Sequence, residues 1–119
     1  TVDIKTSNLT TPLHLAAKHG MLDVAILLLE QDASMVAKDY RGWTPLFFAC
    51  AHGGTAMVKL LLMAGANKFA KDVKGRTPMD VVTQKGHKSS FEALRTFKES
   101  DGTARENLNF LRKKVDGAF

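Results

Sequence analysis

The feature that most constrains the fold of this chain is a short sequence that returns at a constant interval. A threonine and a proline followed by an apolar residue stand at positions 11, 44 and 77, so the interval is 33 each time. Other residue types keep the same register, among them Gly20, Gly53 and Gly86. A constant period shared by several residue types indicates a solenoid, in which each unit packs only against its neighbours.

Each unit predicts two short helices. Threonine at a helix start can cap the free backbone amides, and proline suits the first helical position because its missing N–H would have no partner there. In the first unit we expect one helix over about 12–19, ended by Gly20, and a second over about 23–30. Helical spacing directs apolar side chains of the second helices inward: Val24, Leu27 and Leu28 in the first unit, and Met57, Val58, Leu60, Leu61 and Leu62 in the next.

A polar turn leads from each unit into the next. Residues 39–42 and 72–75 both begin with aspartate and end with glycine, which is typical of turns. Leu9 occupies the position of those glycines in the first turn, so we expect that turn to be distorted. No unit has enough apolar surface to fold alone, and the core must therefore be shared between stacked units.

Residues 11–16, with the sequence Thr-Pro-Leu-His-Leu-Ala, resemble the signature of the ankyrin repeat, whose period is the same. The resemblance extends to about residue 99. It implies an all-α ankyrin-repeat solenoid of helix–turn–helix units with projecting turns, and a concave surface of turn tips and first helices. Phe47 and Asp80 stand where the first unit has His14, which removes the usual hydrogen bonding of that histidine twice. The units would comprise the tail of a preceding repeat at 1–10 and repeats at 11–43, 44–76 and 77–99.

The segment 100–119 lies outside the repeats, as a linker followed by an amphipathic helix. Residues 103–106 have the spacing of a capping box. Ala104, Leu108, Leu111 and Val115 then recur at helical intervals, which predicts a helix over about 104–115. We expect this helix to cap the third unit. The alternative is a basic amphipathic helix that meets a partner or a membrane.

Composition favours an intracellular protein, cytoplasmic or nuclear. The chain has one cysteine, which excludes an internal disulfide, and its longest apolar run, 24–29, is too short to cross a bilayer. The absence of a cleavable leader gives secretion no support, and the start at Thr1 without a methionine suggests a fragment of a longer protein. The formal net charge of +5 favours an acidic partner. We expect a monomer.

No motif indicates catalysis, a cofactor or a metal. The glycines after His52 lack the rest of a phosphate-binding loop. The four histidines have no carboxylate or thiol companions at ligand spacing, and we expect them to be ordinary, partly exposed residues. Cys50 occupies the register position of Ala17, so we expect a small buried thiol rather than a nucleophile.

The resemblance implies a partner-binding surface on the turns and the first helices. Its positions, together with the lysines that precede the turns, map to Lys38, Tyr40, Arg41, Trp43, His52, Lys71, Lys74, Arg76 and Lys85. Tyrosine, tryptophan and arginine often dominate binding energy because they present large, fairly rigid areas with a polar tip. We therefore expect Trp43 and Tyr40 to be apolar anchors, with Trp43 partly exposed in the free chain, and the basic residues to orient carboxylates.

These features predict a non-catalytic protein–protein interaction module that binds an acidic or amphipathic segment of a partner on its concave face. One alternative is the binding of nucleic acid or an anionic surface by the same basic face, which would depend steeply on salt. Another is a scaffold attached to a catalytic domain outside this sequence. The fold alone does not choose among partners, because one fold serves many functions.

Overall fold

A computed structural model describes residues 9–97, and within that range the chain is helical without strands. The all-α prediction is confirmed. The elements in chain order are α1 (Pro12–His19), α2 (Leu22–Glu30), α3 (Pro45–Phe48), a π-helical turn (Ala49–Gly53), α4 (Gly54–Met63), α5 (Pro78–Lys85) and α6 (Lys88–Thr96). Between residues 9 and 97, no helix combines the length and apolar character needed to cross a bilayer.

The helices form two layers that run along the stack. The first helices pack side by side, α1 against α3 and α3 against α5. The second helices form the other layer, α2 against α4 and α4 against α6. The predicted C-terminal helix at 104–115, like residues 1–8, lies outside the described residues.

Threonine caps two of the three first helices. Thr11 Oγ1 accepts the N–H of His14 at 3.3 Å, and Thr77 Oγ1 accepts the N–H of Asp80 at 3.3 Å. The expected cap at Thr44 is absent, because the N–H of Phe47 donates instead to the Thr44 carbonyl at 3.0 Å. Phe47 also has no polar atom with which to return the bond, whereas Asp80 accepts the Thr77 N–H at 2.9 Å.

His14 is fully buried, contrary to the expectation of a partly exposed residue. Its Nδ1 accepts the backbone N–H of Thr11 at 3.0 Å. The ring proton of the neutral imidazole must then lie on Nε2, which donates to the carbonyl of Trp43 at 2.8 Å. His14 thus links the first unit to the turn of the second. Asp80, at the same repeat position, replaces only the local half of this bonding.

The shared core is centred on the second unit. Its predicted inward residues are all buried: Met57, Val58, Leu60, Leu61 and Leu62. Cys50 is buried as predicted, and burial raises the pKa of its thiol to about 12. The prediction for Leu27 is wrong, since its side chain is 48% exposed while Leu60, one period later, is 2% exposed. Leu27 lies at the outer end of the described stack, where no earlier helix pair covers it.

The first helix of the second unit ends one residue later than its sequence predicts. Gly20 and Gly86 end their helices in the left-handed conformation, with φ of 67° and 73°. In the second unit the residue with positive φ is Gly54, at 84° with ψ of 173°, rather than Gly53. That region is almost restricted to glycine. The π-helical turn accounts for the delay because it accommodates an extra residue before the chain reverses.

Leu9 adopts the backbone conformation of the glycines that it replaces. Its φ is 67°, close to the 78° of Gly42 and the 75° of Gly75. The expected distortion is therefore not seen at Leu9, which is instead held in the left-handed region at a cost of about 1–2 kcal/mol for an L-residue.

Substituting glycine for Leu9 should stabilise the chain. We expect Leu9→Gly to raise the free energy of unfolding by up to about 1 kcal/mol, because the relief of strain exceeds the added flexibility of the unfolded chain. Leu9→Ala is the matched control, since it removes the side chain but keeps the strain. Urea denaturation of both variants measures the difference, and equal stabilities would contradict the strain.

Candidate partner-binding surface

Two buried aspartates shape the turns that project from the helix pairs. Asp39 Oδ1 accepts the N–H groups of Arg41 at 2.9 Å and Trp43 at 3.0 Å. Asp72 Oδ1 accepts the N–H groups of Lys74 and Arg76, both at 2.9 Å. Because each carboxylate holds two amides of its own turn, the turns are rigid and their tips face outward.

The two turns, residues 39–42 and 72–75, are joined at their tips. We call these turns, with the lysines that precede them, the turn edge. The N–H of Val73 donates to the carbonyl of Arg41 at 2.9 Å, which ties the tip of one turn to the other. Gly42 lies at this junction, and a Cβ placed on it would be 2.9 Å from the Val73 nitrogen and 3.1 Å from the Asp72 Cα. The turns can meet here only because Gly42 has no side chain.

Gly42→Ala should therefore destabilise the chain more than Gly75→Ala. Both glycines have positive φ, but a Cβ on Gly75 would meet nothing within 4 Å. We expect Gly75→Ala to cost about 1–2 kcal/mol for its conformation alone, and Gly42→Ala at least about 1 kcal/mol more. Urea denaturation of the pair measures this difference. Equal losses would show that the junction between the turns yields to a methyl group.

Trp43 is buried rather than partly exposed, so the sequence-based expectation is wrong. Only 5% of the residue is accessible. Its indole Nε1 donates to Asp72 Oδ2 at 3.0 Å, and its ring stacks on Phe47 with centroids 5.8 Å apart. The carbonyl of Trp43 accepts the bond from His14. Trp43 thus fills the seam at which the units meet.

The two arginines of the predicted site are paired with the aspartates. Arg41 Nη2 lies 3.3 Å from Asp39 Oδ2, and its guanidinium stands 3.9 Å from the centre of the Trp43 ring. Arg76 Nε lies 2.9 Å from Asp72 Oδ2. Both are half-buried, so each arginine is held in place and its charge is partly balanced.

The pKa of the Asp72 carboxyl reflects this environment. Burial acts to raise the pKa. It is nevertheless held below its usual value by hydrogen bonds from the backbone of Arg76, the Trp43 indole, the backbone of Lys74 and the Arg76 guanidinium. Asp72 is therefore charged near neutral pH and cannot act as an acid there.

The exposed part of the turn edge includes a tyrosine, lysines and Val73, which is 71% exposed. Tyr40 is 63% exposed, with the Arg41 guanidinium 5.5 Å from its ring centre. Lys38, Lys71 and Lys74 are exposed, and none of them forms an ion pair with another residue of 9–97. The accessible chemistry of this edge is thus basic with an aromatic centre.

His52 and Lys85 lie away from the turns. Each follows the proline of its helix by seven residues, which places it about 10 Å farther along the helix axis. Burial lowers the pKa of His52, and the positive charges of Lys18, Lys85, Arg41 and His87 lower it further. The far ends of the first helices therefore form a second basic area, which continues the surface away from the turn edge.

Sequence reasoning missed two exposed apolar residues before the turns. Val36 is 73% exposed and Phe69 is 67% exposed. They occupy equivalent positions, one period apart, so the repeat register could have identified them as a pair. Apart from that register, no sequence pattern marked them as surface residues rather than core residues.

Among the described residues we find neither a candidate metal site nor a cysteine suited to act as a nucleophile. No group of three or more histidine, cysteine or acidic side chains in 9–97 is arranged to hold a metal ion. The thiol of Cys50 is buried, with its pKa raised to about 12, so it is protonated near neutral pH and unsuited to nucleophilic chemistry.

Comparison with known families gives a match over most of the chain. The family model for ankyrin repeats, which describes three copies, matches residues 1–72 and 38–106. These overlapping matches include the turns, the helix pairs and every residue of the predicted surface. Among curated proteins, no sequence matches the chain.

Proposed function

Because the chain belongs to the ankyrin repeat family, we propose that it binds an acidic or amphipathic segment of a partner protein on its turns and first helices. Ankyrin repeats generally serve as protein–protein interaction modules and are typically non-catalytic. The observation that carries the proposal is the rigid turn edge, on which an exposed Tyr40 stands among lysines.

The charge of the edge supports an acidic partner. The acidic residues of the turns, Asp39 and Asp72, point inward, with side chains 1% and 0% exposed. Lys38, Lys71 and Lys74 point outward. An approaching carboxylate therefore meets positive charges without the opposing acids, which raises the association rate more than it raises affinity.

The sequence predicted two apolar anchors, Tyr40 and Trp43. In this proposal Tyr40 alone is the anchor. Its ring is accessible, and the contact with the Arg41 guanidinium limits its freedom before a partner arrives. An aromatic side chain that is ordered in advance loses less entropy on binding. Trp43 contributes indirectly, because it supports the seam from which the turns project.

The experiment compares the parent chain with Tyr40→Ala/Lys71→Glu. Partners captured by the parent chain are identified, and the shortest bound segment is synthesised and titrated by calorimetry. We expect the double variant to weaken binding by at least about 2 kcal/mol, the scale typical of dominant interface residues. Lys59→Glu, a charge reversal on the exposed surface of α4, is the control and should bind like the parent.

Three results would contradict the proposal. If nuclease treatment abolished the capture of partners, the ligand would be nucleic acid. If capture required anionic lipid, the ligand would be a membrane surface. Equal affinity of the parent chain and Tyr40→Ala/Lys71→Glu for the segment would place the partner elsewhere on the molecule.

A further inference from the structure

Exposed and shielded side chains alternate on the chain as it enters the first joined turn. Val36, Lys38 and Tyr40 are exposed, the two apolar residues by 73% and 63%. Ala37 between them is half-buried, and Asp39 is buried because it holds the turn. The outward side of this segment therefore carries a lysine with an apolar side chain two residues away on either side.

The next unit repeats this arrangement one period later. Phe69, Lys71 and Val73 are exposed, the apolar residues by 67% and 71%, while Ala70 is half-buried and Asp72 is buried. The bond from the N–H of Val73 to the carbonyl of Arg41 holds the tips of the two segments together. We call Val36, Lys38 and Tyr40 the first row, and Phe69, Lys71 and Val73 the second row.

Single exposed apolar residues are ordinary, but here four stand at equivalent positions on two units whose turns are joined. Neither central lysine is paired with an acid of the described part of the chain. A ligand that satisfied only the lysines, such as a nucleic acid backbone, would leave the apolar side chains in water. The ligand that matches both features presents an acid between two apolar groups.

The spacing of the rows identifies the conformation of that ligand. Side chains two residues apart point the same way in an extended chain but not in a helix. Resting on the function proposed above, we propose that the two rows bind an extended peptide of the pattern apolar–x–acidic–x–apolar. The segment lies alongside the rows, with its carboxylate at Lys38 and Lys71 and its apolar side chains on the flanking residues.

Three blocked synthetic peptides test this pairing. The parent peptide is Gly-Ser-Phe-Ser-Glu-Ser-Phe-Ser-Gly, the second has glutamine in place of glutamate, and the third has serine in place of both phenylalanines. Each is titrated into the isotopically labelled chain, with affinity and location read from backbone amide NMR shifts. We expect the second and third peptides to bind at least about ten-fold more weakly than the first, since each lacks half of the recognised pattern.

Variants of the chain complete the test. Phe69→Ser and Lys38→Gln/Lys71→Gln should each weaken the parent peptide by about ten-fold, and the lysine variant should also reduce the salt dependence of binding. Lys59→Gln is the control and should leave the affinity unchanged. All these positions are exposed, and the peptide series needs no altered protein, so a folding defect cannot imitate the result.

The outcomes separate this inference from the proposed function. Equal binding of the parent and the phenylalanine-free peptide, or shifts away from both rows, would overturn the inference. If no peptide binds while a captured partner segment still depends on Tyr40 and Lys71, the inference fails and the proposed function stands. If neither kind of ligand depends on the turn residues, both fail.

Discussion

Trp43→Ala is expected to destabilise the chain by about 3–5 kcal/mol, the range for truncating a large buried aromatic residue. The indole is 5% exposed and stacks on Phe47. Its removal would leave a cavity at the seam between units and withdraw a hydrogen bond from the buried carboxylate of Asp72. The Arg41 guanidinium would lose the ring beneath it. The loss should appear in urea denaturation followed by circular dichroism.

Trp43→Phe separates packing from hydrogen bonding. It preserves an aromatic ring on Phe47 but removes the donor to Asp72, so we expect a smaller loss of about 1.5–3 kcal/mol, as for a bond to a charged group. Trp43 is the only tryptophan of the chain, and acrylamide should quench its fluorescence weakly in the free protein. Strong quenching, together with a stable Trp43→Ala, would restore it as an exposed anchor.

Much of the fold could be predicted because its signals are local. Proline at the first helical position, glycine after the helix and aspartate at the turn each act through their own backbone or that of close neighbours. The helix predicted over about 12–19 is observed over Pro12–His19 for this reason. The constant period then required equivalent units to stack, which is what α1, α3 and α5 do.

The errors arise where the local sequence pattern does not decide the outcome. The burial of Trp43 depends on Asp72, which is 29 residues away. The end of the first helix in the second unit depends on which of two consecutive glycines adopts positive φ, and no local rule chooses between Gly53 and Gly54. The period relates equivalent positions, but it does not report which partner each position meets.

The surface was predictable in its charge and less so in its detail. Lysines before and within the turns were expected to be exposed, and Lys38, Lys71 and Lys74 are. The pairing of Arg41 and Arg76 with the aspartates was not foreseen, because it requires the side chains to fold back over their own turns. The accessible charge of the edge therefore rests chiefly on its lysines.

Leu60→Ala and Leu27→Ala are the same chemical change at equivalent positions and should differ widely in effect. Leu60 is 2% exposed between neighbouring units, and we expect its truncation to cost about 2–5 kcal/mol, because it removes buried contacts and leaves a cavity. Leu27 is 48% exposed, so its truncation should cost less than about 1 kcal/mol.

Urea denaturation of the two variants under identical conditions measures this difference. The two positions are both in second helices and one period apart, so intrinsic helix propensity changes equally in both and cancels in the comparison. The remaining difference reports how much a second helix gains from having a neighbour on each side, which is the source of stability in a stacked array. Equal losses would show that Leu27 is covered in the folded chain, and the outer surface of the first unit would then belong to the core.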